Sequence, residues 1–291
     1  MVLRFRSYRS KYFPQGTLGL VKGNTVGPCT VLGRYVTDLY DVIENWDVLA
    51  NGVTGDTPLE DIAAVDILIG IAKNYLDHVK MPGATVLAEE TQFPMLFTKG
   101  ASSIIPHGAQ RYDHSTVTNA VDYGGELGII IGKGGLGERK EDVWTHVWGA
   151  TITNDRGHKQ LYIGKSLDTF CPMGPYAVPA FQLDWKNLIL ETCVNGELRQ
   201  RQNTTELIFD IPTLIETCSM GITLQPGDVI ATGTCAAVGS SQKLPVFLKP
   251  GDKVEVIITE LGTLSNVVAA ADALPPSCNP VCMIPTLGSP T

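Results

Sequence analysis

The stretch Val121-Asp-Tyr-Gly-Gly-Glu-Leu-Gly-Ile-Ile-Ile-Gly-Lys133 decides how this chain is read. Side chains alternate between the faces of an extended strand, so Asp122, Gly124 and Glu126 are expected to project one way and Tyr123, Gly125 and Leu127 the other. Carboxylates then flank a glycine on one face, aimed at a shared pocket, and Asn154-Asp155 further along supplies another. Hard cations take their ligands from such groups of carboxylate oxygens. The row reads as a metal or acid–base site with one member missing, at Gly124.

Outward from this strand, the texture from Val65 onward is of short strands broken by glycine and proline turns. Residues 187–194, the dipeptide Asn195-Gly196 and residues 197–201 predict a hairpin closed by a two-residue turn. Leu-x-Pro-Gly-Asp occurs at 224–228 and again at 248–252, each time before an apolar strand. Proline then glycine at the centre suits a type II turn, so both copies are structural signals. Helices are few. Ile211, Leu214, Ile215 and Cys218 recur at helical spacing before Gly221, and Val143 with Val147 and Trp144 with Trp148 suggest a second short helix.

Residues 1–64 mix short apolar runs with turn residues and end on Thr57-Pro-Leu-Glu60, where Thr57 suits an N-cap, Pro58 the first helical position and Glu60 a capping box. The expected organisation is a small N-terminal β-rich domain over 1–64, a catalytic domain over 65–272 and an irregular tail over 273–291. The fold class is mainly β (α+β), with little βαβ alternation. Cys278 and Cys282 in the tail lack a nearby histidine and read as packing residues rather than metal ligands.

Composition bounds the function. With 44% hydrophobic and 18% charged residues in 291, the chain is an ordinary globular protein with enough length for a sizeable core. A formal charge of −8, with only Arg4, Arg6, Arg9 and Lys11 loosely grouped, argues against a nucleic-acid partner. The 7 cysteines, scattered without close pairing, fit a reducing compartment, and the cytosol is the expectation. No apolar run approaches the ~20 residues that span a bilayer, and the N-terminus lacks the apolar core of a secretory signal. Its basic start with Ser7 and Ser10 runs straight into strand-like sequence, which argues against a mitochondrial presequence.

The run 121–133 with Asn154-Asp155 resembles the signature of the fumarylacetoacetate hydrolase family. The likeness continues through Gly70-Ile-Ala-Lys-Asn-Tyr-Leu-Asp-His78, Phe97-Thr-Lys99, Gly164-Lys-Ser-Leu-Asp-Thr-Phe-Cys-Pro-Met-Gly-Pro175, Val194-Asn-Gly196, the Leu-x-Pro-Gly-Asp turns and Thr232-Gly-Thr234. The order and extent of these motifs, from about residue 65 to about 270, set them above chance. The resemblance implies a mixed β-roll, an N-terminal appendage, a homodimer and a small-molecule substrate. In the family a Glu-x-Glu strand and a later aspartate hold magnesium, manganese or calcium. Here Glu126 and Asp155 match two of those ligands while Gly124 stands in place of the first glutamate, so Mg2+ or Mn2+ binding is expected to be weakened or lost. Asp122 is two residues too far along the strand to reach the same ion.

The resemblance also implies roles for single residues. His78 matches a histidine on a short lid helix that activates water with a glutamate three residues on, but Met81 occupies that glutamate's place. Without the carboxylate the imidazole's tautomer and basicity are less well fixed. Lys165 and Lys99 match pocket lysines, the first polarising a substrate carbonyl or enolate. Thr234 and Gly233 match contacts to substrate oxygens, followed by Cys235 instead of the usual proline. Lys159 replaces an arginine that grips a substrate acid, in a shortened loop, and a point charge grips a carboxylate differently from a planar fork. His158 beside it reads as an exposed loop histidine.

These residues leave open a metal-assisted enzyme acting on a β-dicarbonyl or 2-oxo acid through an enolate, by C–C hydrolysis, decarboxylation or tautomerisation. The alternative is a metal-independent isomerase, decarboxylase or cyclase of a hydrophobic, polyketide-like intermediate in secondary metabolism. A catalytically inactive homologue serving as a binding partner is the third reading.

Overall fold

A computed structural model of the chain describes residues 68–79, 92–115, 117–155, 161–242 and 244–269, together with the backbone of strand segments within 5–35. The expected helix at 57–60, Met81, the loop from Arg156 to Gln160 with His158 and Lys159, and the tail with Cys278 and Cys282 lie outside these residues.

In chain order the elements are β1 (Phe5–Ser10), β2 (Phe13–Lys22), β3 (Thr25–Pro28), β4 (Thr30–Val31), β5 (Arg34–Tyr35), β6 (Leu68–Ala72), α1 (Leu76–Val79), β7 (Met95–Thr98), β8 (Ile104–Pro106) and β9 (Gln110–Arg111). There follow β10 (Gly125–Ile131), β11 (Val147–Asn154), α2 (Leu161–Ser166), β12 (Cys171–Pro179), β13 (Ile189–Val194), β14 (Glu197–Asn203), α3 (Ile211–Ser219), β15 (Val229–Ala231), β16 (Lys253–Ile258) and β17 (Gly262–Val268). The fold is mainly β with few helices. A 10-stranded sheet runs β3-β2-β1-β12-β11-β10-β15-β6-β7 with β8 beside β12, and a 5-stranded sheet runs β14-β13-β16-β17-β9. Parallel pairs occur at β15–β6, β12–β8 and β17–β9 among antiparallel ones, so both sheets are mixed.

β10 lies between β11 and β15. Every one of its residues is buried, which explains the unbroken apolar run Ile129-Ile130-Ile131 rather than an alternating pattern. The main core joins this strand to α3 and the second sheet through Ile129, Ile152, Leu190, Ile215 and Val256. α3 buries Ile211, Leu214, Ile215 and Cys218, the residues its spacing predicted, and the Asp210 side chain caps it by accepting from the Thr213 N–H at 3.0 Å. Burial of each Leu or Ile there contributes about 1.5–3 kcal/mol.

The turn expectations hold. β13 and β14 form the hairpin, with Asn195 and Gly196 both at positive φ as a type I′ turn requires. At both proline–glycine turns the glycine has φ +91, and the aspartate N–H closes the turn on the carbonyl of Gln225 or Lys249. One expectation fails: residues 143–145 form a single 3-10 turn, and Val147 and Trp148 already belong to β11. The spacing that looked helical straddles a turn and the start of a strand. No helix among the described residues is long and apolar enough to cross a membrane.

Candidate functional site

The end of β11 delivers Asp155, 3% exposed, beside the start of β10, where the Asp155 N–H donates to the Gly124 carbonyl at 2.8 Å. Its carboxylate is gripped from two sides. Lys99, just past β7, donates to Oδ1, and Lys165, near the C-terminus of α2, donates to Oδ2. The Lys99 side chain is 0% exposed and that of Lys165 17%, so Lys165 is the cation that a solute meets first. Its ammonium also lies 4.9 Å from the centre of the Phe97 ring, a cation–π distance.

Glu126 projects from β10 toward the loop after β15, where Oε2 accepts from the Gly233 N–H at 3.0 Å. That loop needs a glycine at 233: its φ is +101, and a Cβ would come within 2.9 Å of the Asn74 Cβ. Burial, then the nearby Asp155 charge, pushes the Glu126 carboxyl up to about 8. For Asp155 burial works in the same direction, but the charges and hydrogen bonds of Lys165 and Lys99 outweigh it and hold the acid below its ordinary value. Burial of Lys165 disfavours its charge, yet Asp155 and Glu126 more than offset this and raise it. The site thus contains two firmly charged partners and one reluctant acid.

His78 lies on α1, and its Nδ1 is buried without a hydrogen-bond partner among the described residues. Burial lowers its pKa; the opposing pull of Asp77 is the next influence, and Lys165 adds to the lowering. The imidazole is therefore neutral at neutral pH. The backbone around α1 is fixed: Asn74 accepts from the Phe209 N–H at 2.8 Å and donates to the Thr232 carbonyl at 2.8 Å, while Gln202 donates to Asp77 at 3.1 Å.

Thr234 is held by Gln200, whose Nε2 donates to its Oγ1 at 2.9 Å and to the Cys235 carbonyl at 3.0 Å while Oε1 accepts from the Gly125 N–H at 3.1 Å. Gln200 thus ties the strand with Glu126 to the loop with Thr234, and sequence reasoning missed it. It sits in the polar run Glu197-Leu-Arg-Gln-Arg-Gln202, which carries no sign that its fourth member is 1% exposed. Tyr75 was missed likewise. Its hydroxyl is buried without a hydrogen-bond partner among the described residues, and its pKa is raised by burial first and by Cys235 and Glu126 after it. The Cys235 thiol is pushed up to about 12, chiefly by burial, as befits a packing residue rather than a nucleophile.

The expectation for Asp122 needs correction. β10 begins only at Gly125, so strand alternation does not govern residue 122. Its carboxylate turns away to accept from the backbone N–H groups of Gly239 at 2.6 Å, Ser240 at 2.8 Å and Tyr123 at 2.8 Å. Glu126, Asp155, Lys99, Lys165, His78, Gly233 and Thr234 are drawn into one neighbourhood.

The donor set does not suit a divalent ion. Both Asp155 oxygens face ammonium groups, one Glu126 oxygen is occupied by a backbone N–H, and Gly124 offers no side chain. A Cβ at 124 would come within 2.9 Å of the Asp155 carbonyl oxygen and 3.3 Å of the Thr234 Cβ and Oγ1. Among the described residues no three of His, Cys, Asp and Glu gather as a metal site.

Known proteins share this arrangement of sequence and fold. The family described as fumarylacetoacetate (FAA) hydrolase C-terminal matches residues 68–269. The oxaloacetate tautomerase YisK of Bacillus subtilis is 46% identical over 209 residues, which are 69% of this chain and 69% of that protein. The solved structure of a fumarylacetoacetate hydrolase from Exiguobacterium antarcticum aligns with TM-score 0.75 at 33% identity, over 92% of this chain and 99% of that one. A 5-carboxymethyl-2-hydroxymuconate delta-isomerase from Mycobacterium smegmatis aligns with TM-score 0.70 at 28% identity, over 92% and 99%.

Proposed function

The chain belongs to the fumarylacetoacetate hydrolase family, and we propose that it is an enzyme that interconverts keto and enol forms of a 2-oxo acid or β-dicarbonyl compound. The observation that carries this reading is Lys165, a partly exposed ammonium anchored on Asp155 and near enough for its charge to act on the neutral imidazole of His78. The similarity to an oxaloacetate tautomerase and to an isomerase supports the same chemistry.

The substrate's carbonyl oxygen accepts from Lys165, which lowers the cost of negative charge developing there. His78, with its neutral imidazole, takes the proton from the adjacent carbon. The resulting enolate oxygen lies against a cation, and return of the proton to that oxygen gives the enol. Atoms and charge are conserved, and the reverse sequence gives the ketone. Thr234 and the backbone around Gly233 orient the remaining substrate oxygens. Removing one donor to a developing oxyanion costs about 10²–10³ in rate.

Incorporation of solvent deuterium at C3 of oxaloacetate, followed by NMR, tests this reading. Enzyme-dependent exchange that falls at least about a hundredfold in Lys165→Met supports it. Cleavage or CO2 release without faster exchange contradicts it, because both then outrun the tautomerisation. The family resemblance also leads us to propose a homodimer, which sedimentation of the full chain checks.

A further inference from the structure

We propose that Lys99 and Lys165 together take the place of a divalent cation, with the vicinal oxygens of a 2-oxo acid held by the partly exposed Lys165 while the buried ammonium of Lys99 adds its charge across Asp155. This rests on the proposed enolate chemistry and specifies how this chain holds the enolate.

The first support is space. The pocket has lost the room for a third acidic side chain at 124 as well as the side chain itself, since the Asp155 carbonyl and the Thr234 side chain close over Gly124. The second is charge. Two ammonium groups already face one ionised carboxylate, since Glu126 keeps its proton at neutral pH, so a divalent ion would add to an excess of positive charge in a buried site, where charge is strongly disfavoured. The third is hydrogen bonding. An ammonium has three N–H donors, and each lysine spends one on Asp155. Buried donors normally find partners, and no other hydrogen bond from either ammonium occurs among the described residues. Asp155 aligns the two groups by holding one on each carboxylate oxygen. An anion that presents two neighbouring oxygens, such as the carboxylate and 2-oxo edge of a 2-oxo acid, meets the donors that remain on Lys165, and the sealed Lys99 contributes its charge.

The test is calorimetry on full-length protein stripped with chelator and dialysed, using oxalate as a planar two-oxygen anion and, separately, manganese chloride. Oxalate is expected to bind without metal, and to bind at least about tenfold more weakly in Lys99→Met and in Lys165→Met, each shown by circular dichroism to be folded. Manganese is expected to give no saturable binding at millimolar concentration. The proposal is overturned if oxalate binds only after manganese is added, or if manganese binds near one equivalent and this is lost in Asp155→Asn. It is overturned too if both folded lysine variants bind oxalate as wild type does. Lysine-dependent oxalate binding without exchange on oxaloacetate supports the ammonium pair and sinks the tautomerase reading alone.

Discussion

The carboxylate of Asp155 and the ammonium of Lys99 form an ion pair sealed from water, with side chains 2% and 0% exposed. Breaking a buried pair leaves a charge without full compensation, which costs about 3–5 kcal/mol. Because Lys165 still pairs with Asp155, Lys99→Met is expected at the low end, about 3 kcal/mol, read as a lowered urea midpoint at unchanged slope. A change below about 0.5 kcal/mol would mean that the pair is open to water in solution.

Glu126 sets a slope in stability against pH. Its folded pKa of about 8 lies above the ordinary 4.5, so between those values the folded protein keeps a proton that the unfolded chain has released. Stability therefore falls as pH rises through about 4.5 to 8. Asp155, with its pKa lowered, acts at the other end and loses its contribution as pH drops below the ordinary carboxylate range. Melting temperature across this window is expected to decline in wild type and to flatten in Glu126→Gln. An unchanged slope in the variant would assign the titration elsewhere.

Arg111 on β9 is wholly buried, and its guanidinium nitrogens have no hydrogen-bond partner among the described residues. Burial draws its pKa down to about 9, which leaves it charged at neutral pH. A buried charge without a partner is costly, and apolar replacement of buried charges is often stabilising by about 1–4 kcal/mol. Arg111→Met is expected to raise the urea midpoint. A lowered midpoint would show that the guanidinium finds a partner in solution.

Gly124→Glu, which restores the acid of the family pattern, is expected to destabilise by about 1–3 kcal/mol, the usual cost of overpacking, and to gain no manganese affinity in calorimetry. A stable variant with a new manganese site would show that the pocket still has room for the ligand.

Much of this was legible in the sequence because the signals were local. Asn195-Gly196 and the two proline–glycine turns dictate backbone angles over a few residues, and the apolar spacing of Ile211 to Cys218 specifies one helix face. Asp155, Glu126, Lys165 and Lys99 stand out as candidates because their motifs lie in short runs that match the family pattern. What escaped depends on long-range partners. Gln200 matters only because its strand pairs where its amide reaches Gly125 and Thr234, and Asp122 turned away because the strand starts three residues later than its pattern suggested. The Val143–Trp148 spacing misled because a 3-10 turn feeding a strand can mimic two turns of helix. That Asp155 is shared by two lysines was equally hidden, since 56 residues separate it from Lys99.

The most direct measurement is the rate of solvent-deuterium exchange at C3 of oxaloacetate in chelator-stripped protein, comparing wild type with Lys165→Met and His78→Gln. The account expects exchange well above the uncatalysed rate in wild type without added metal, and a loss of at least about a hundredfold in each variant. Exchange that appears only when manganese is restored, or that survives in both variants, would contradict it.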